Sequence, residues 1–514
     1  MKNTSWSLVI LIFSVALSSC GSNNKTIDPA SDEAIDIAWK DGTTLPAEVF
    51  ERYPLPLQDI DKDNGINVMV DLTHQCKFVT MWGLPRRLND AGFRAIGNQA
   101  TLNSVLDPGG QCRIRLKWDE ENRIYPFAWH PNFSYNVIIT IQSDPNAQDY
   151  LPEEIDALEN FVNDGGGLLI FAPPPKTEEI AESWSLNTLC SRFDAAISPE
   201  TDTYRNSNYA VLTCGNDWDV IAKGEKGQPV HITRQAGKGF ISIIGNDELL
   251  QTNRNDPEDE IALKNNILVE EINRVAAGKE PVGGEARYPV SGGGGGGIYP
   301  EIEKKFNDIV LFYAANQKDE LIRTVDEDLP KAKELVEGWL PSKPTQEPMY
   351  LILSSGGGGG WAVNAFKPKE NGIISLSPSG IISIFAHELA HTMHGPTNDN
   401  GEVAGITPIP NRGEAHAGWF QGKVVAWFEE EMRDKAVKDC NRLFSFDSTG
   451  RNLDLVKYYE NDELREKWGK GKEWTKTWWI WQKLDDRYGP TWYPRWKYVQ
   501  HTRWADDPEH RLSW

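Results

Sequence analysis

The segment His387-Glu388-Leu389-Ala390-His391 carries two imidazoles four residues apart, with a carboxylate next to the first. On an α-helix, residues at i and i+4 lie on one face. Both rings can therefore reach one metal ion. Glu388 sits beside them, placed to move protons rather than to bind the ion. Two neutral imidazoles and a nearby carboxylate base suit Zn2+ and hydrolysis. The expectation is that His387 and His391 are metal ligands and Glu388 is the catalytic base. Ile381, Ile382, Ile384, Phe385 and Leu389 predict a largely buried helix around them, with Ser379 as N-cap and Gly395-Pro396 as stop.

A third ligand must come from elsewhere in the chain. Glu402 lies in a turn-like stretch, Asn398 to Glu402, soon after the pair. Glu414 opens a segment that runs as a predicted helix through Val424, Val425, Trp427 and Phe428. A carboxylate on a helix is more rigidly placed, so Glu414 is favoured. His416 reads as a neighbour of the site or a substrate-facing group. His394 is rotated away from the ion and reads as a cap. Hydrolysis also needs a donor for the oxyanion. Tyr458, Tyr459, Tyr488, Tyr493 and His416 are available, and the sequence selects none of them.

The spacing excludes the metzincin pattern, whose glycine and third histidine would fall at His394 and Thr397. The pair followed by Glu414 resembles the gluzincins, and in its spacing the enhancin-like, mucin-degrading metallopeptidases. The segment Trp479 to Tyr498 resembles the helical lobe that follows the zinc site in several gluzincins. The resemblance implies a mainly α zincin-like domain, zinc with a glutamate as third ligand, and a protein or glycoprotein substrate.

The first half alternates strands and helices. Ile66 to Leu72, Tyr135 to Ile141, Leu168 to Ala172 and Phe240 to Ile244 read as strands. Phe78 to Ala91 reads as a helix. A second helix opens at Leu151-Pro152-Glu153-Glu154, with proline and acids in its first turn, and buries Ile155, Leu158, Phe161 and Val162. Such alternation predicts an α/β domain with a mainly parallel sheet covered on both faces. The stretch Leu151 to Pro173, with Asp71-Leu72-Thr73-His74, resembles class I glutamine-amidotransferase-like domains. Active members carry a nucleophilic Cys on a glycine-rich elbow. Here the comparable strand ends Phe171-Ala172-Pro173-Pro174-Pro175, so the domain reads as non-catalytic. His74 with Cys76 reads either as a Cys/His pair or as a loop histidine beside a structural cysteine. An amidotransferase-like domain ahead of an enhancin-like one resembles the order in the TRP-channel-associated factors of animals.

The amino terminus reads as an address. Lys2 precedes the apolar run Leu8 to Leu17, which ends Leu17-Ser18-Ser19-Cys20 and resembles a bacterial lipobox. Cys20 would then carry lipid and anchor the chain to a membrane without spanning it. The absence of Asp after Cys20 favours the outer membrane of the cell envelope. The domain plan is a signal peptide over 1–19, a polar tether over 20–63, the α/β domain over 64–275, a Gly-rich linker over 276–297 and the zincin-like domain over 298–514. A second glycine run, Gly356 to Gly360, reads as a ligand-approach loop or a mobile surface loop.

Composition narrows the partners. The formal charge is −22, from 53 basic and 75 acidic residues in 514. No basic cluster offers a face to phosphates, so nucleic acid is excluded. Only 9 histidines are present, and four fall between His387 and His416. Cys76, Cys112, Cys190 and Cys214 would permit two bridges in an exported chain. Nine tryptophans lie between Trp468 and Trp514. They read as a sugar-stacking surface or, at the spacing of Trp478, Trp481 and Leu484, as a helix face packed into a core. The first reading gives an alternative function, a glycan-binding surface lipoprotein with a degenerate or structural zinc site.

Overall fold

The computed structural model describes residues 60, 62–74, 83–115, 127–142, 148–251, 257–276, 280–284, 297–306, 309–339, 349–353, 360–363, 373–376, 381–392, 421 and 424. Two units are built around two separate sheets.

The strands of the first unit are β1 (Asn67–Asp71), β2 (Arg94–Asn98), β3 (Gln111–Arg115), β4 (Phe127–Pro131), β5 (Ser134–Tyr135), β6 (Val137–Ile141) and β7 (Gly167–Phe171). They continue with β8 (Ala195–Tyr204), β9 (Ser207–Cys214), β10 (Asp219–Lys223), β11 (Pro229–Ala236), β12 (Gly239–Ile244), β13 (Val282–Gly283) and β14 (Ile298–Tyr299). Ten of them form one sheet, in the order β10-β11-β12-β7-β6-β1-β2-β14-β3-β4. The centre, β12-β7-β6-β1-β2, is parallel. β14 adds to β2 in parallel, and antiparallel pairs follow on both sides, β11 and β10 beyond β12 and β3 and β4 beyond β14. The predicted α/β unit with a mainly parallel centre is therefore present.

Alternation within the strands sends side chains to two cores. Met69, Ile138, Leu168 and Ile170 face one side, where the Pro152–Asp164 helix adds Ile155, Leu158 and Val162. Val68, Val70, Val137, Ile139 and Leu169 face the other, where the Glu258–Ala276 helix adds Leu268, Ile272 and Val275. Both faces being covered explains why the central strands read as nearly continuous apolar runs. The Pro152–Asp164 helix starts with Pro at its first turn and stops at Gly165, whose φ of 123° suits a residue without a Cβ. Of the predicted Phe78 to Ala91 helix, Leu84–Asp90 is helical, and 75–82 lie outside the described residues. The glycine-rich stretch is not featureless. Val282–Gly283 pairs with β5, and Ile298–Tyr299, just past it, sits between β2 and β3 in the first sheet.

The second sheet holds β15 (Ile302–Phe306), β16 (Ile309–Tyr313), β17 (Met349–Leu353), β18 (Gly360–Val363) and β19 (Ile373–Leu376), in the order β15-β16-β17-β19-β18. Its middle pairs are parallel and both outer pairs antiparallel. Two helices, Asp319–Trp339 and Ile381–Thr392, pack with Ile309, Leu311, Leu351 and Leu353 into one core. The described part of this unit is thus mixed α/β. The residues on which the mainly helical expectation rests lie outside the described residues, apart from Gln421 and Val424. No described helix is long and apolar enough to cross a membrane.

Candidate functional site

The helix bearing the histidine pair forms as predicted, over Ile381–Thr392. Ile381, Phe385, Ala386, Leu389 and Ala390 are buried in the second core, at the spacing of one helix face. That burial fixes the rotation of the helix. His387 is half-buried and Glu388 is buried, at 7% exposure. The helical backbone continues through His391, so the i and i+4 relation with His387 holds. The side chain of His391 and all of Glu414, Glu402 and His416 lie outside the described residues, as do Cys20, Cys76, the candidate tyrosines and the Trp-rich tail. Among the described residues no group of three or more His, Cys, Asp or Glu gathers as a metal cage.

One neighbour of the pair escaped the sequence analysis. His387 Nδ1 lies 3.2 Å from Gln421 Oε1. The amide oxygen accepts, so Nδ1 carries the hydrogen. Val424, one turn beyond Gln421 and also helical, is fully buried in the same core as Phe385 and Leu389. Gln421 is thus placed by packing, 34 residues away from the ring that it meets. The signal that could have found it is the i, i+3 relation to the core residue Val424. The sheet also contributes. The helix packs against β18 and β19, and β18 is the last strand of its sheet among the described residues.

A second polar centre sits in the first unit. His74 follows β1 and is completely buried. Its Nδ1 lies 2.8 Å from Asp71 Oδ2, and its Nε2 lies 3.2 Å from Glu154 Oε2. Its ring stacks on Tyr150, with centroids 3.8 Å apart. Burial by itself would depress the pKa of this imidazole. The carboxylates of Asp71 and then Glu154 outweigh burial and raise it to about 10. His74 is therefore an imidazolium that donates from both nitrogens.

Each carboxylate is satisfied by further donors. Asp71 accepts from the Thr73 backbone N–H at 2.8 Å and from the Thr140 hydroxyl at 2.6 Å. Since Thr140 donates there, the Tyr150 hydroxyl, 2.6 Å away, donates to Thr140. Glu154 accepts from the backbone N–H groups of Leu151 and Leu102, at 2.9 and 2.8 Å. Glu154 thus ties the start of its own helix to the start of the Leu102–Leu106 helix. His74 lies in the bend after β1, as the loop reading has it, and there it is the ionic centre of a buried network. Its partners at 71, 140, 150 and 154 have no motif-like spacing, so only the fold assembles them.

The second unit touches this centre. Asn316 Nδ2 packs against His74 Nε2 at 3.1 Å, a contact without a hydrogen bond because both atoms donate, and Gln148 Nε2 donates to Gln317 Oε1. Glu301 accepts from the Thr101 hydroxyl and the Ala315 N–H, both at 2.8 Å, and burial holds its carboxyl pKa above the usual value. Arg113, 2% exposed, pairs with Glu303 at 3.3 Å and lies between the rings of Trp129 and Phe312. A buried guanidinium between a carboxylate and two aromatic faces is stable where a bare charge would not be. Cys112, Cys190 and Cys214 are free thiols, and burial raises the pKa of the first two strongly, that of Cys190 to about 12.

No family model matches the chain, and no curated protein sequence does. Solved structures with some likeness include the N-terminal domain of mmIFT52, with 9% identity and a TM-score of 0.27, covering 40% of this chain and 97% of that one. A cytoplasmic protein of Salmonella typhimurium LT2, STM1381, has 13% identity and a TM-score of 0.26, with 41% and 99% covered. The exo-β-1,4-mannosidase Op5Man5 from Opitutaceae bacterium strain TAV5 has 13% identity and a TM-score of 0.22, with 44% and 37% covered.

Proposed function

We propose that the chain is a zinc-dependent metallopeptidase of gluzincin type, held at the bacterial cell envelope by lipid on Cys20. The observation that carries this reading is the engagement of His387 Nδ1 by Gln421. A metal-binding imidazole typically donates its other ring N–H to a fixed acceptor, which sets tautomer and ring orientation. His387 has that acceptor on a helical residue whose neighbour is locked in the core. The buried face of Ile381–Thr392 adds support, because packing of Phe385, Ala386, Leu389 and Ala390 fixes the rotation of the helix that carries positions 387, 388 and 391.

The donor set fits zinc in its chemistry: His387 and His391 as nitrogen ligands, with Glu414 as the oxygen ligand. Zinc, when bound, would supply Lewis acidity toward a peptide carbonyl and toward water. Glu388 would take the proton from the attacking water and pass it to the leaving amine. Among the described residues no strand lies beyond β18, which packs against the same helix, and an edge of that kind would give an extended substrate backbone donors and acceptors. This favours a polypeptide, including a glycoprotein, as substrate. The α/β unit we infer to be amidotransferase-like in fold and catalytically silent, because the segment after β7 carries prolines and no cysteine.

Two measurements test the reading. Purified protein should hold about one zinc per chain, lost in His387→Ala and His391→Ala. Glu388→Gln should keep the zinc and lose about 10²-fold or more of chelator-sensitive cleavage on a peptide and mucin panel. Absence of stoichiometric zinc from the wild type would refute the enzyme.

A further inference from the structure

The central strand order places a topological switch point between β1 and β6. From β1 the chain moves to β2 on one side, then to β6, β7 and β12 on the other. Open α/β sheets receive their ligands in the crevice outside the carboxyl ends of the strands at that point. Asp71 closes β1, Thr140 lies near the end of β6, and His74, Tyr150 and Glu154 follow these strands. The imidazolium network therefore occupies the usual ligand position. It is sealed: Asp71, His74, Thr140 and Glu154 have no exposed surface and Tyr150 has 4%.

What reaches it is the turn of the second unit between β16 and the Asp319–Trp339 helix. Asn316 contacts His74, Gln317 bonds to Gln148, and the Ala315 N–H donates to Glu301, which also holds Thr101. We propose that the crevice of the first unit takes this turn, 314–317, as its ligand, and that the first unit is an internal holder for the second rather than a small-molecule site. The turn leads directly into a helix whose Val325, Leu329, Ala332 and Val336 share a core with Phe385 and Leu389. Docking of the turn thereby fixes the element on which the His387 helix rests. The inference stands on the inter-unit geometry and does not require zinc.

Calorimetry of the full chain tests it. Wild type should unfold in one transition. The double variant Asn316→Ala/Gln317→Ala removes both side-chain contacts of the turn. It should split that transition in two, the lower peak displaced by about 4 °C or more. Zinc content, measured on the same samples, should not change, so a wild type without zinc leaves the calorimetric result intact. Should the double variant aggregate, Gln148→Ala removes the partner of Gln317 from the other side and is read in the same way. Two transitions in wild type, or one transition in the variant within about 1 °C of the parent, would overturn the holder role.

Discussion

His387 Nδ1 and Gln421 Oε1 lie 3.2 Å apart, joining the Ile381–Thr392 helix to a residue that no motif singles out. If that bond orients the ring, Gln421→Leu should lower zinc affinity by about 10–100-fold, the usual cost of losing such a partner. Gln421→Glu keeps an acceptor and should restore most of the affinity. Competition with a chromogenic chelator reads both. Equal affinities for wild type and Gln421→Leu would show that the bond does not orient the ligand.

His74 makes stability depend on pH. Its folded pKa is about 10, above the 6.5 expected for an unfolded histidine. The sign follows from the raised value. Its contribution is complete below about pH 6.5 and is lost as pH rises toward 10. The groups facing it are the carboxylates of Asp71 and Glu154, the Tyr150 ring and the Asn316 amide; Thr140 meets it only through Asp71 and Tyr150. Tyr150 itself is held well above the normal tyrosine range, first by burial and then by Asp71, so it does not titrate in that window. Denaturant midpoints between pH 6.5 and 10 should fall steadily in wild type, and the slope should flatten in His74→Gln.

Leu389 lies between Glu388 and Ala390 in the motif, yet its own side chain is in the core at 0% exposure. Leu389→Ala should cost about 2–5 kcal/mol, from lost burial and the cavity left behind. Urea unfolding measures the loss. A cost below about 1 kcal/mol would mean that the helix is not anchored by this face.

Two glycines should respond with opposite signs. A Cβ at Gly167, the first residue of β7, would meet the Val275 carbonyl oxygen at 2.6 Å. Gly167→Ala should therefore destabilise by about 1–3 kcal/mol. Gly338, in the last turn of the Asp319–Trp339 helix, has no atom within 4 Å of a Cβ. Gly338→Ala should stabilise by about 0.4–1 kcal/mol. Thermal midpoints of the two single variants decide both.

The sequence by itself determined what is local. Apolar periodicity located the Pro152–Asp164 helix and four of the five central strands nearly to the residue, because burial on two faces leaves continuous apolar runs, and it did not find β2, Arg94–Asn98, whose run is broken by Arg94, Gly97 and Asn98. The i, i+4 spacing put His387 and His391 on one face as soon as a helix was assigned, since that relation is a property of the backbone. Tertiary structure alone decided what joins distant positions. Gln421 meets His387 because Val424 shares a core with Phe385, and the charge on His74 needs Glu154, which the packing of the Pro152–Asp164 helix brings to a ring that Asp71 already meets from three residues away. A seal on that centre comes from Asn316, 242 residues away. Such contacts follow from sheet order and packing of faces, which no spacing along the chain encodes.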